Sequence, residues 1–187
     1  MLRIFLGRLR SWRESIARKK RAHYIEQLQG KGLTLGSNVQ FAADVFLDPS
    51  HCSLISIGNN VTFAPNVRLI AHDASTKQFL GFTRIGLIRI LDDCFIGDSV
   101  IVLAGVTVGP RSIIGAGSIV TRDIPENSVA VGHPARVICT LDEYLSKRNK
   151  SARERGILGH EYWSEHLTDE GRARMQALLS TGDGFIV

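Results

Sequence analysis

The 187-residue chain has little of what usually announces a function. Its three cysteines, Cys52, Cys94 and Cys139, are odd in number and none sits in a C-x-x-C spacing. A disulfide framework and a structural zinc ribbon are therefore excluded, and free thiols suit a reducing, cytoplasmic compartment. No apolar run approaches the roughly 18–20 residues of a membrane span. The first residues are not expected to be a secretory signal either, because arginines interrupt every apolar stretch there. Aromatic residues make up only 7% of the chain and are not interleaved with basic ones as a nucleic-acid stacking platform requires. Gly-x-Ser-x-Gly, Walker A and Gly-x-Gly-x-x-Gly motifs are all missing, which removes the serine hydrolase, P-loop and dinucleotide-binding readings. The six histidines contain no i,i+4 pair, so no metal site is expected unless subunits pool ligands.

Charge of one sign is confined to one end. The formal net charge of +5 comes from 23 Lys and Arg against 18 Asp and Glu. Residues 1–30 carry 8 basic and 2 acidic side chains, residues 31–139 carry 8 of each, and residues 140–187 carry 7 against 8. A basic protein is thus a neutral body with a basic leader, and a nucleic-acid partner is not expected. In that leader Leu2, Phe5, Leu9, Trp12 and Ile16 recur at helical spacing, with arginines and lysines over much of the remainder. Such a helix suits either an anionic membrane surface, as a peripheral contact, or a packing surface on protein.

What is present is a repeat. Every sixth residue is aliphatic in Ile90, Ile96, Val102, Val108, Ile114 and Val120, and the same step runs through Leu35, Phe41 and Leu47, then Ile57, Phe63 and Leu69. Four residues after each anchor comes a small or aliphatic residue, among them Val61, Val67, Cys94, Val100, Val106, Ser112 and Ser118. A glycine follows the anchor at positions 36, 58, 97, 109 and 115, where it is expected to permit the tight turn. A period of six fits neither a helix nor a meander. It fits an all-β solenoid of triangular section, in which each hexapeptide forms one side and eighteen residues form one coil. Residues 35–125 have room for about five coils. The chain divides into the leader (1–30), the hexapeptide-repeat β-helix (31–139) and a helical extension (140–187). In the extension Thr140-Leu-Asp-Glu143 reads as a capping box opening a helix to about Arg148. The basic run 147–155 reads as a solvated connection, and Thr168 opens a last helix.

The frame breaks at 53–56 and again at 73–84, and breaks in a solenoid are loops that carry function. Both breaks adjoin the candidate catalytic groups. His72 closes the run Leu69-Ile-Ala at the mouth of the second loop, where a neutral imidazole would serve as a general base. Such a base needs a partner on its other ring nitrogen. Asp48 and His51, one coil earlier, are candidates to share its cleft, and Asp73 is adjacent in sequence. Lys77 and Phe79 lie in the loop where an acceptor would bind.

The hexapeptide array, the segment Leu69-Ile-Ala-His72-Asp73-Ala-Ser-Thr and the ending Ile114-Gly-Ala-Gly-Ser-Ile-Val-Thr121-Arg-Asp-Ile-Pro125 through Val131-Gly-His-Pro-Ala-Arg136 resemble the left-handed β-helix acyltransferases. The likeness is to the maltose/galactoside and polysaccharide O-acetyltransferase branch. It implies a left-handed parallel β-helix, an acetyl-CoA-dependent O-acetyltransferase acting on a sugar hydroxyl, and a homotrimer with active sites between subunits. Carried over residue by residue, it makes His72 the general base, with Asp48 or Asp73 as its orienting carboxylate. By the same resemblance acetyl-CoA would lie along Phe95, Ala104, Ala116, Thr121, Arg122 and Arg136, while His51, Lys77 and Phe79 are expected to meet the acceptor from their own place at the two frame breaks. Where the resemblance has Asn before the Pro of the ending, this chain has His133. N-acetylation of an amino-sugar nucleotide, a zinc hydratase and a non-catalytic scaffold are the rival readings of the same architecture.

Overall fold

The computed structural model describes residues 2–187, with side chains described from Trp12 onward except at positions 13, 14 and 18. It separates into two compact units, one ending at Leu141 and the other spanning Asp142–Val187.

The first unit opens with one continuous helix, α1 (Leu2–Gly30). Leu28 is buried, and Tyr24 and Ile25 pack partly buried against the same core. The Arg21 guanidinium donates to the Phe41 carbonyl at 2.6 Å and the Tyr24 hydroxyl to the Leu47 carbonyl at 3.2 Å. The last two turns of the helix thus lie on the solenoid and cover its first coil. Trp12, further back, is 62% exposed. The rest of the expected apolar stripe, Leu2, Phe5 and Leu9, falls on side chains outside the described set, as do Arg3, Arg8, Arg10, Arg13 and Arg18. No described helix is long and apolar enough to cross a membrane.

The body is a solenoid with three parallel faces. The first face stacks Thr34–Leu35, Ile55–Ile57, Ile88–Ile90 and Thr107–Val108. The second stacks Gln40–Phe41, Thr62–Phe63, Phe95–Ile96, Ile113–Ile114 and Ser128–Gly132, closed by the antiparallel strand Ala135–Thr140. The third stacks Phe46–Leu47, Arg68–Ile70, Ile101–Leu103 and Ile119–Val120. Two of the faces therefore hold four strands, fewer than the about five coils that length alone allows, because the two insertions consume chain without adding a coil. The register shows this directly. Phe46 pairs with Arg68 and Arg68 with Ile101, while the uninterrupted step is Ile101 to Ile119.

The anchors from Leu47 to Val120 are buried at 0–2% exposure and form the central aliphatic column. Leu35 and Phe41, in the first coil, are only partly buried. The corner residues Val61, Val67, Cys94, Val100 and Val106 fill the remaining space. Where the corner becomes serine, the hydroxyl is engaged: Ser112 Oγ donates to the Pro125 carbonyl at 3.0 Å, and Ser118 Oγ to that of Gly115 at 2.6 Å. Burying them therefore leaves no unpaired polar atom.

The glycines after the anchors do not make the turn, contrary to the sequence expectation. The left-handed backbone falls three residues after the anchor, at Asn38, Asp44, Asn60, Asn66, Asp93, Ser99, Gly105, Arg111 and Gly117. Asn and Asp tolerate this conformation through local side-chain hydrogen bonding. The post-anchor glycines serve close approach instead. A Cβ on Gly97 would lie 2.6 Å from the Ala116 backbone nitrogen of the next coil, and one on Gly36 2.6 Å from the Gly58 carbonyl carbon.

At the second frame break the chain leaves the solenoid as a hairpin. His72–Asp73 pairs antiparallel with Arg84–Ile85, and a single helical turn, α2 (Lys77–Leu80), sits at the tip. In the second unit, α3 (Leu141–Arg155) runs through the basic segment 147–155. The expected break near Arg148 does not occur, since nothing in that segment stops a helix before Gly156, whose φ is +81°. Ile157–Leu158 pairs in parallel with Phe185–Ile186. The final helix, α4 (Asp169–Leu179), is capped by Thr168, whose hydroxyl accepts from the Gly171 amide at 3.0 Å.

Candidate active site

Asp48 follows the third-face strand Phe46–Leu47, and His72 follows Arg68–Ile70 on the coil above, with Leu47 paired to Leu69. Coil stacking therefore brings together two residues 24 apart in sequence. The Asp48 carboxylate is fully buried and His72 is one-third exposed. Oδ2 of Asp48 accepts from His72 Nδ1 and, at 3.1 Å, from the Ala71 amide. Oδ1 accepts from the Ser50 hydroxyl at 2.7 Å and the Ser50 amide at 3.2 Å. Four donors on one carboxylate satisfy a charge that would otherwise be costly to bury. Burial acts to raise the pKa of Asp48. The Ser50 hydroxyl bond and the bond and charge of His72 outweigh it, leaving the group below its ordinary 3.8 and ionised at neutral pH.

With a carboxylate on Nδ1, His72 carries its proton there and presents Nε2 bare, the tautomer a general base needs. Asp73 is placed otherwise. It is exposed, its Oδ1 accepts from the Ser75 amide at 2.9 Å, and that bond is the main cause of its lowered pKa. Of the two carboxylates the sequence left open, Asp48 alone reaches the His72 ring.

His51 is brought to the same place. Its ring centroid lies 4.9 Å from that of His72 with the planes 34° apart, and its Nδ1 is 2.9 Å from the Ser50 hydroxyl. Histidines thus converge within one chain through coil stacking, a route the search for an i,i+4 pair does not see. Ligand atoms of Asp48, His51 and His72 lie within 4.8 Å of one another, a donor set of a kind that can hold a divalent cation. Both carboxylate oxygens and both Nδ1 atoms take part in hydrogen bonds, which join Asp48, Ser50, His51 and His72 in one network.

Ser50 is the residue that sequence reading missed. Its position two after Asp48 is the spacing of an Asx-type turn, and that was the available signal. Arg84 was missed as well: its guanidinium donates to the Ala104 carbonyl at 2.9 Å, tying the hairpin to the neighbouring coil. Lys77 and Phe79 lie at the hairpin tip, exposed.

The expected acyl-donor residues fall in two groups. Ala104, Thr121 and Arg122 leave the third face on the coils beyond His72, as the pairings Ile70 to Leu103 and Val102 to Val120 require. Ala104 is buried with its carbonyl taken by Arg84, while Thr121 and Arg122 are exposed. Phe95, 45% exposed, stands on the second face. Ala116 just beyond Ile114 and Arg136 on the closing strand are likewise exposed. Ala116, small and exposed, and the two exposed arginines are of the type that takes an amide-rich, phosphate-ended ligand, whereas the Ala104 carbonyl is already occupied.

Residues 88–122 match the family model described as bacterial transferase hexapeptide (six repeats). The Bacillus subtilis protein YvoF, which carries an acetyltransferase name, is 31% identical over 120 residues, 64% of this chain and 67% of its own length. The Escherichia coli galactoside O-acetyltransferase is 38% identical over 61% of this chain and 57% of its own. A solved galactoside acetyltransferase in complex with coenzyme A is 33% identical, covers 64% of this chain and 70% of its own, and superposes with a TM-score of 0.48. The chain spans between about one third and two thirds of the length of the curated relatives it matches. The repeat matched by the family model, together with the extent of the likeness to YvoF, makes this chain a member of the hexapeptide-repeat transferase family.

Proposed function

We propose that the protein is an acetyl-CoA-dependent O-acetyltransferase acting on a sugar hydroxyl, on a left-handed solenoid assembled as a trimer. The observation that carries the reading is the pairing of His72, bare at Nε2, with the buried Asp48 carboxylate. His72 takes the proton of the acceptor hydroxyl as that oxygen forms its bond to the thioester carbonyl carbon. Asp48 stabilises the resulting imidazolium. His72 then returns the proton to the departing thiolate as the carbon–sulfur bond breaks, so the base is regenerated. Thr121, Arg122, Arg136, Phe95, Ala104 and Ala116 are the proposed donor contacts, and Lys77 and Phe79 the proposed acceptor contacts from the hairpin. A flank of one prism offers little enclosure, which supports a site completed by a neighbouring copy.

Sugar acceptors are favoured because a relative named for galactoside O-acetylation is 38% identical over 121 residues. Residues 31–139 form the proposed catalytic unit and residues 140–187 an extension without chemistry of its own. The enzyme's proposed place is the cytoplasm, with the basic leader touching an anionic membrane surface.

Thiol release from acetyl-CoA with a panel of methyl hexopyranosides tests the reading. His72→Ala is expected to lower kcat by roughly 10²–10⁴ while circular dichroism shows the fold unchanged. A folded His72→Ala protein of full activity refutes it. Transfer to amino sugars alone would move the reaction to N-acetylation.

A further inference from the structure

We infer that His51 is a specificity-determining residue that reads a second hydroxyl of the acceptor, next to the one that reacts. The acceptor is then a diol on one sugar ring rather than an isolated alcohol or amine. The inference rests on the O-acetyl transfer proposed above.

The observation behind it is a tautomer that the hydrogen bonds leave no freedom to choose. The Ser50 hydroxyl has one hydrogen. At 2.7 Å from the ionised Asp48 Oδ1 that hydrogen points to the carboxylate, because the alternative sets two lone pairs against each other. Toward His51 Nδ1, at 2.9 Å, the same oxygen can then only accept. His51 therefore carries its proton on Nδ1 and leaves Nε2 bare, the same form that Asp48 imposes on His72. Asp48 thus sets both rings, one directly and one through Ser50.

The two rings stand side by side, their centroids 4.9 Å apart. Both Nδ1 edges are turned toward Asp48, with His51 Nδ1 3.9 Å from Oδ2, so both Nε2 edges face away from it. Both side chains are about one-third exposed, 32% for His51 and 34% for His72. With hydrogen bonds of roughly 2.8 Å to each, rings whose centroids are 4.9 Å apart bracket two neighbouring hydroxyls. Only one of the imidazoles bonds the carboxylate directly, so the imidazolium of the reaction forms on His72. His51 accepts a hydrogen bond from a hydroxyl that does not react. An isolated alcohol leaves that nitrogen without a donor once water is displaced.

The experiment uses the full chain as wild type, His51→Ala and His51→Gln, with saturating acetyl-CoA. Acceptors are methyl hexopyranosides and, for each one accepted, its monodeoxy derivatives. His51→Ala is expected to lower kcat/KM for the parent glycoside about 5–20-fold, the scale of one polar contact, with KM for acetyl-CoA unchanged. The derivative lacking the neighbouring hydroxyl should lower wild-type kcat/KM by a similar factor and show no further loss with His51→Ala. His51→Gln, whose amide oxygen can accept, should recover part of the loss. Nitrogen-15 shifts of the resting protein should report bare Nε2 on both rings. Equal loss on parent and all deoxy derivatives, or a protonated Nε2 on neutral His51, overturns the inference alone. No transfer by wild type to any glycoside removes the sugar reading and this inference with it.

Discussion

Replacing Asp48 by Asn separates the charge of the carboxylate from its shape. The amide is isosteric and can still present an oxygen to His72 Nδ1 and the Ala71 amide, the two donors on Oδ2. Its NH2 then replaces Oδ1. There the Ser50 hydroxyl can turn and accept, but the Ser50 amide, now 3.2 Å from a donor, loses its partner. One buried donor without an acceptor costs about 1–3 kcal/mol, partly offset because no charge is buried, so a loss of about 1–2 kcal/mol in stability at pH 7 is expected.

The larger effect is on catalysis. An imidazolium about 4 Å from a carboxylate gains about 4 kcal/mol at an effective dielectric near 20. Solvent at the one-third-exposed ring reduces this to roughly 2–3 kcal/mol, or about 30–150-fold in kcat. Asp73→Asn, at an exposed site whose carboxylate serves Ser75, should change kcat by less than about twofold.

The stability difference also has a sign in pH. The folded pKa of Asp48 lies below the ordinary 3.8, so its contribution is complete above the unfolded value and is lost as pH falls through the folded one. Urea denaturation should therefore show wild type and Asp48→Asn differing at pH 7 and converging below about pH 4. A folded Asp48→Asn enzyme within twofold of wild-type kcat, or an Asp73→Asn enzyme that falls as far, refutes the dyad.

Two further outcomes follow from burial and from the helix contacts. Burial pushes the Cys94 thiol up to about 11 and Cys52 is buried as well, whereas Cys139 is half-exposed. Brief alkylation of the native protein at pH 8 should label Cys139 first, and rapid labelling of Cys94 would contradict the packed corner. Removing residues 2–17 deletes half of the leader's basic side chains but keeps Arg21, Tyr24, Ile25 and Leu28, which pack or bond to the solenoid. The shortened protein should bind anionic vesicles more weakly and acetyl-CoA as before, while equal vesicle binding would make the segment a packing element. Cutting at residue 30 instead would strip Leu28 from the core and confuse the two effects.

The solenoid was legible because its cause is local. One buried aliphatic residue per hexapeptide is a pattern in the chain itself, and so is the Asn, Asp or Gly that stands three residues later at seven of the nine left-handed turns. The charge asymmetry and the candidate base at the second frame break were legible for the same reason. What the chain could not state was which residues the coils stack onto one another, because the insertions change the register by amounts that no repeat encodes. Asp48 rather than Asp73 reaches His72 because Leu47 pairs with Leu69. That same stacking brings His51 beside His72 and lets Ser50 join both to one carboxylate. The roles of the glycines also needed the third dimension, since a Cβ clash with the next coil is invisible within one hexapeptide. Residue types and their period determined the fold, and coil-to-coil register, set by tertiary packing, decided the site.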